Sequence, residues 1–115
     1  MKIGSITHEE LVKAIADAAH SYGWRVSGFR AVRVQRKDGS IYHTTPIMFQ
    51  GKGWPDLFLC HETRHVAIAI EVKVKGDKLK PEQTEWLELL DQCGIPAYEF
   101  RESEWVDGSI LAVLQ

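Results

Sequence analysis

Cysteine is scarce in this 115-residue sequence. There are two, Cys60 and Cys93, far apart and neither in a Cys-x-x-Cys pair. A disulfide framework and a zinc ribbon are both disfavoured. Apolar neighbours lead us to expect two buried free thiols in a reducing compartment. Long apolar runs are missing too, and nothing approaches the ~20 residues that cross a bilayer. Residues Met1–Ser5 lack the apolar stretch of a secretory leader, so an intracellular location is expected. No Pro/Ser-rich linker, low-complexity tract or internal repeat divides the chain. We expect one domain spanning 1–115, large enough for a core but not for a second module.

A 44% hydrophobic and 26% charged composition is that of an ordinary globular protein. The net charge of −2 hides an asymmetry. Residues 1–80 hold 13 Lys and Arg against 8 Asp and Glu, whereas residues 81–115 hold 1 against 8. A basic front and an acidic back allow a polyanion to bind one face, although two solvated faces would look the same.

Thr7 and Glu10 form a capping-box pattern. Leu11, Val12, Ile15, Ala18, Ala19 and Tyr22 then recur at helical spacing, predicting a helix from Thr7 to Tyr22 closed by Gly23. Trp24 to Val34 reads as strand. Lys37–Ser40 reads as a turn, and Ile41 to Met48 as its return strand. After the loop Gly51-Lys52-Gly53 come two apolar runs, Leu57–Cys60 and His65–Val74, the second suited to a central strand. Pro81 opens a helix to about Gln92, Cys93-Gly94 close it, and Ile95–Phe100 is a short strand. Ser103 to Leu114 is a last helix weakened by Gly108. The principal elements run α-β-β-β-α-β-α. This α/β pattern predicts a mixed sheet flanked by helices.

Three residues break the apolar rhythm. Asp56 opens the first central strand, and Glu71 and Lys73 interrupt the second. Side chains alternate along a strand, so Glu71 and Lys73 share a face while Val72 points into the other layer. With a two-residue loop at Thr63-Arg64, Leu57 faces Ile70, Cys60 faces Ala67, and Asp56 falls opposite Glu71. Thr-Arg is poor turn chemistry, so this register depends on the loop length. Opposed carboxylates would lie with Cβ atoms ~5 Å apart. A divalent cation removes their conflict. Two carboxylates with the Val72 carbonyl suit Mg²⁺ or Mn²⁺. The Lys73 ammonium could orient a water and stabilise a phosphoryl transition state, which points to phosphodiester hydrolysis. Glu-x-Lys alone is common as a surface salt-bridge ladder, so the preceding Gly53-Trp54-Pro55-Asp56 matters.

Pro55-Asp56 followed after fourteen residues by Glu71-Val72-Lys73 resembles the PD-(D/E)XK nuclease signature. Gly53–Leu57, Glu71–Lys73 and Leu79-Lys80-Pro81-Glu82-Gln83-Thr84-Glu85-Trp86-Leu87 are similar to its VRR-NUC branch, the virus-type replication-repair nucleases. The likeness covers about residues 7–106. It implies a restriction-endonuclease-like core with Asp56 and Glu71 as metal ligands, Val72 lending its carbonyl and Lys73 as the catalytic lysine. Gln83 would reach back to the active-site water or a phosphate. Two departures stand out. His8 lies where a first-helix glutamate often faces the metal, so either His8 replaces that carboxylate, or Glu9 or Glu10 reaches in, or His8 is a plain helix-start residue. Lys80 lies where Ser or Thr usually caps the next helix.

Arg25, Arg30, Arg33, Arg36 and Lys37 lie on or beside the first hairpin, and Lys52, Lys75, Lys78 and Lys80 flank the site in loops. Of these, Arg30, Arg33, Lys52, Lys75, Lys78 and Lys80 are the expected DNA contacts, through phosphates rather than by sequence reading. No recognition-helix or zinc-finger pattern is present. The resemblance implies a phage or bacterial enzyme, acting inside the cell in DNA repair or recombination. Branched DNA is the expected substrate, cut in the manner of a Holliday-junction resolvase. A two-fold junction calls for a homodimer. A flap or single-strand nuclease of the same fold, or a silent DNA-binding module, are the alternative readings.

Overall fold

The capping box forms in both directions. The Thr7 hydroxyl accepts the Glu10 N–H at 3.1 Å, and the Glu10 carboxylate accepts the Thr7 N–H at 3.0 Å. It opens α1 (His8–Ser21), whose Leu11, Ile15 and Ala19 are buried along one face. The structure is a computed structural model that describes residues 6–29, 32–44 and 48–115. Residues 1–5, 30–31 and 45–47 lie outside it. Arg30 and parts of the two strands expected over 24–34 and 41–48 are among them.

Gly23, at φ +96°, turns the chain into β1 (Trp24–Gly28). The single strand expected from Trp24 to Val34 is two, β1 and β2 (Val32–Gln35), because they pair with different partners. The return strand is shorter than expected, β3 (Ile41–Thr44), while Met48 belongs to a turn in which its carbonyl accepts the Gly51 N–H. β2 and β3 form their own antiparallel ribbon. Its turn is held by Asp38, whose carboxylate accepts the Ser40 N–H at 2.9 Å.

The main sheet contains β1, then β4 (Leu57–His61), β5 (Ala67–Lys73) and β6 (Ala97–Arg101), in the order β1-β4-β5-β6. The first three strands are antiparallel and β6 is parallel to β5. The parallel step needs a crossover, supplied by α2 (Pro81–Gln92). Five strands therefore precede α2, where the order α-β-β-β-α-β-α has three and the strand runs named in the sequence number four. The mixed sheet flanked by helices is consistent with the expected restriction-endonuclease-like core.

Leu57 pairs with Ile70 and Cys60 with Ala67, the expected register. The loop is longer than the expected Thr63-Arg64. His61 N–H donates to the Val66 carbonyl at 2.8 Å, leaving Glu62–His65 between them. One extra residue on each side keeps the register unchanged. The His61 ring replaces Asn-Gly turn chemistry. Its Nδ1 accepts the N–H groups of Thr63 and Arg64 at 3.3 and 3.1 Å. Its Nε2 lies 2.8 Å from the Tyr22 carbonyl, which makes that nitrogen the protonated one.

Leu57, Leu59, Ile68, Ile70 and Val72 meet Leu11, Ile15 and Ala19 of α1 in one core. Ile110 and Leu114 close the same core. The expected last helix is broken into α3 (Glu102–Val106) and α4 (Ser109–Leu114), with Gly108 between them at φ +87°. The apolar face of α4 is spent in this core, and Trp105 packs beside it. Both cysteines are exposed, contrary to expectation. Cys60 falls on the outward phase of β4, and Cys93 caps the end of α2. Among the described residues, no helix is long and apolar enough to cross a membrane.

Ile70 is fully buried in the central strand and Cys60 is exposed on the strand beside it. Ile70→Ala should cost about 2–5 kcal/mol in urea denaturation. Cys60→Ser should stay within about 0.5 kcal/mol of the unsubstituted protein.

Candidate active site

The apolar face of β5 presents Ile68, Ile70 and Val72 to the core, so Ala69, Glu71 and Lys73 point the other way. Three buried strand positions occupied by a glutamate, a valine and a lysine in sequence are costly unless the charges are satisfied. Glu71 is 2% exposed and Lys73 8%. They satisfy each other in part, with Lys73 Nζ 3.3 Å from Glu71 Oε2.

Asp56 precedes the first residue of β4, Leu57, which pairs with Ile70, and so lies next to Glu71. Its N–H donates to Glu71 Oε1 at 3.2 Å. Its own Oδ2 accepts the Val72 N–H at 2.9 Å. A strand residue directs N–H and C=O to the same edge, so the Val72 carbonyl faces Asp56 as well. The two acids expected to converge therefore stand on one face, tied by reciprocal hydrogen bonds across the strand pair.

Gln83 arrives from α2. Its Nε2 donates to Glu71 Oε2 at 2.8 Å, while its Oε1 accepts the Lys80 N–H at 2.9 Å. The side chain thus bridges the helix start and the buried acid. Lys80 contributes no side-chain cap, as its chemistry requires. The loop before Asp56 is pressed onto this helix. Trp86 Nε1 donates to the Lys52 carbonyl at 3.0 Å, and Lys52 Nζ meets Glu82 at 3.1 Å. Trp54 packs edge-on to Trp86 and stacks on Phe58, with ring centroids 5.0 and 5.8 Å apart. Gly53 sits at φ +90° so close to α2 that a Cβ would lie 2.6 Å from the Glu82 carbonyl. These contacts set Asp56 and Gln83 at a fixed spacing, and no functional role for Trp54 or Trp86 is legible in the sequence alone.

His8 reaches the site from the first residue of α1. Its Nε2 lies 3.1 Å from Asp56 Oδ2, the oxygen that also takes the Val72 N–H. The Asp56 hydrogen bond raises the His8 pKa above its ordinary value, against a smaller opposing effect of burial. Glu10 is held in the cap by Thr7 and does not reach in. Glu9 is exposed. Among the described residues, no three His, Cys, Asp or Glu side chains converge as a metal cage. The donor chemistry still fits a hard cation. Asp56 Oδ1 carries no hydrogen bond among the described residues, beside a second carboxylate and a main-chain carbonyl.

Two further charged residues on this face were missed. Glu99 and Arg101 of β6 pair with Glu71 and Lys73 in the parallel register. Arg101 Nε donates to Glu99 at 3.1 Å and its Nη1 to the Asp77 carbonyl at 3.0 Å. The alternation Ala97-Tyr98-Glu99-Phe100-Arg101 was their available signal. Of the expected DNA contacts, Arg33, Lys52, Lys75, Lys78 and Lys80 are exposed, Lys52 being paired with Glu82. Arg33 stands on the separate ribbon. A concavity of about 330 Å³ between α1, β1 and the β4–β5 turn is lined by His20, Trp24, Arg25 and Glu62 and contains none of these groups.

Burial pushes the Glu71 carboxyl up to about 7, reinforced by the Asp56 charge and opposed by Lys73. The folded chain therefore holds this proton more tightly than the unfolded one. Its contribution is favourable below pH ~4.5 and is lost as pH rises through 7. In metal-free protein, Glu71→Gln should raise stability at pH 8 by about 2–3 kcal/mol. The gain should shrink towards zero at pH 4.5, as read by thermal denaturation in a chelator.

A model of the VRR-NUC domain matches residues 47–103, about half of the chain, and that stretch contains Asp56, Glu71, Lys73 and Gln83. No curated protein and no solved structure gave a match. Through this stretch the chain belongs to the VRR-NUC family, whose domain is a nuclease of the PD-(D/E)XK type.

Proposed function

We propose that this protein is a divalent-metal-dependent DNA endonuclease acting on branched DNA. The observation that carries this reading is the buried Glu71 facing Asp56, with Lys73 Nζ 3.3 Å from Glu71 and Gln83 bonded to the same carboxylate oxygen. Asp56, Glu71 and the Val72 carbonyl would hold Mg²⁺ or Mn²⁺. Such a cation supplies positive charge to the phosphoryl group and acidity to water. Lys73 orients the attacking water and stabilises negative charge on the phosphate as the bond to the leaving oxygen breaks. Gln83 fixes Glu71 and the start of α2 together. His8 holds Asp56 Oδ2, which leaves Oδ1 for the cation, so we assign His8 a positioning role rather than that of a third ligand.

Arg33, Lys52, Lys75, Lys78 and Lys80 contribute phosphate contacts in this reading. The sequence carries no recognition-helix or zinc-finger pattern, which favours recognition of DNA shape over sequence. A four-way junction is two-fold symmetric, and its resolution by paired cuts calls for a homodimer.

With Mg²⁺ or Mn²⁺, the protein should cut four-way junctions in symmetric pairs, ahead of flaps and single strands, on a sequencing gel. Lys73→Ala should lower the rate about 10²–10³-fold. Asp56→Asn should abolish the rise in melting temperature that Mn²⁺ gives the unsubstituted protein. Equal cutting by the Lys73→Ala protein excludes Lys73 from the chemistry, and preferential cutting of flaps replaces the junction assignment.

A further inference from the structure

The β2–β3 ribbon is not part of the sheet that carries the site. β2 and β3 pack chiefly on each other, and no described residue from 33 to 44 enters the hydrophobic core. The chain is correspondingly extended, with a radius of gyration of 15.2 Å against about 13 Å for a compact chain of this length. A two-stranded ribbon is marginal by itself. This one is held by its Asp38–Ser40 turn and by Arg36, whose guanidinium lies 4.1 Å from the centroid of the Tyr42 ring.

Register separates its two faces. Val34 pairs with Tyr42, so these share one face, while Arg33 pairs with His43 and Gln35 with Ile41 on the other. Arg33, Gln35 and His43 are exposed. Beside the exposed Ile41, that face carries hydrogen-bonding side chains and no acid. Arg36 and Lys37 add positive charge at the tip, where the one carboxylate, Asp38, is occupied by Ser40.

The ribbon is rooted at the active-site end of the sheet. β1 leads into it and ends at Gly28, which pairs with Leu57, the residue after Asp56. A Cβ on Gly28 would lie 3.2 Å from the Asp56 carbonyl. The segment returning from β3 leads through Met48–Gly53 directly to Asp56.

We infer that the β2–β3 ribbon is a duplex-binding arm, laying its Arg33–Gln35–His43 face into a groove of DNA beside the phosphate to be cut. A major groove admits a two-stranded ribbon, and arginine and glutamine there bond both base edges and flanking phosphates. The inference rests on the nuclease reading for the position of the cut, and it adds a requirement: the substrate carries a double-stranded segment next to the cleaved bond.

The test measures binding apart from cleavage, in a Lys73→Ala background, by fluorescence anisotropy on a 20-base-pair duplex and a 20-nucleotide single strand over a salt series. One variant replaces residues 32–44 with a short Gly/Ser linker. A second, Arg33→Glu, alters an exposed side chain and keeps the ribbon, and circular dichroism confirms that each folds. Removing the ribbon should weaken duplex binding at least about 10-fold and reduce the salt slope by about one per lost phosphate contact. Arg33→Glu should weaken duplex binding several-fold. Single-strand affinity should change by less than about 3-fold. Unchanged duplex affinity, or an equal loss on both DNAs, overturns the arm. So does conversion of a dimer to a monomer on ribbon removal, because a second copy would then be its partner. Ribbon-dependent duplex binding without metal-dependent cutting by the unsubstituted protein would keep the arm and reject the nuclease reading.

Discussion

Two like charges face each other across a strand pair, and one of them is sealed from water. Asp56 and Glu71 exchange hydrogen bonds through the main chain on either side, Asp56 N–H to Glu71 and Val72 N–H to Asp56. These bonds hold the carboxylates together against their repulsion. Lys73 and Gln83 offset the burial of Glu71 only in part, and its carboxyl remains well above the usual range. A buried carboxyl so perturbed beside a second acid marks a candidate functional site.

The rest of the fold keeps this arrangement from relaxing. β5 is an interior strand, with Ile68, Ile70 and Val72 locked in the core, so Glu71 and Lys73 cannot swing out without unpacking it. On the opposite face, the Trp54–Trp86 contact and the close approach of Gly53 to Glu82 bind the Asp56 loop to α2. Gln83 is thereby placed by the same helix turn that the loop rests on. The core layer and the chemical layer are separated by a single strand, and side-chain alternation assigns each residue to its layer.

Much of this was legible in the residues. Thr7 with Glu10, Pro81 with the helix after it, and the alternation around Glu71 are local signals whose physics acts within a few residues. The β4–β5 register was legible because a loop that grows symmetrically leaves pairing unchanged, although the His61 cap on Glu62–His65 was invisible to turn rules based on glycine and asparagine. Partnership across distant segments was not legible. Nothing local tells that β1 and β2 belong to different sheets, or that Cys60 faces solvent. His8 was legible as a residue in the place of an acid. Its bond to Asp56 depends on how the start of α1 is docked beside the start of β4, which is a tertiary contact. Glu99 and Arg101 were overlooked because the parallel register that aligns them with Glu71 and Lys73 is set by a crossover helix.

The central claim is that Asp56 and Glu71 form a cation site. A crystal of the protein soaked in Mn²⁺ and measured for anomalous scattering tests it most directly. The account predicts an anomalous peak about 2.0–2.3 Å from Asp56 Oδ1 and from a Glu71 oxygen, with the His8 bond to Asp56 Oδ2 retained. A fully occupied Mn²⁺ elsewhere, with the space between the two carboxylates empty and the Lys73–Glu71 pair undisturbed, would contradict it.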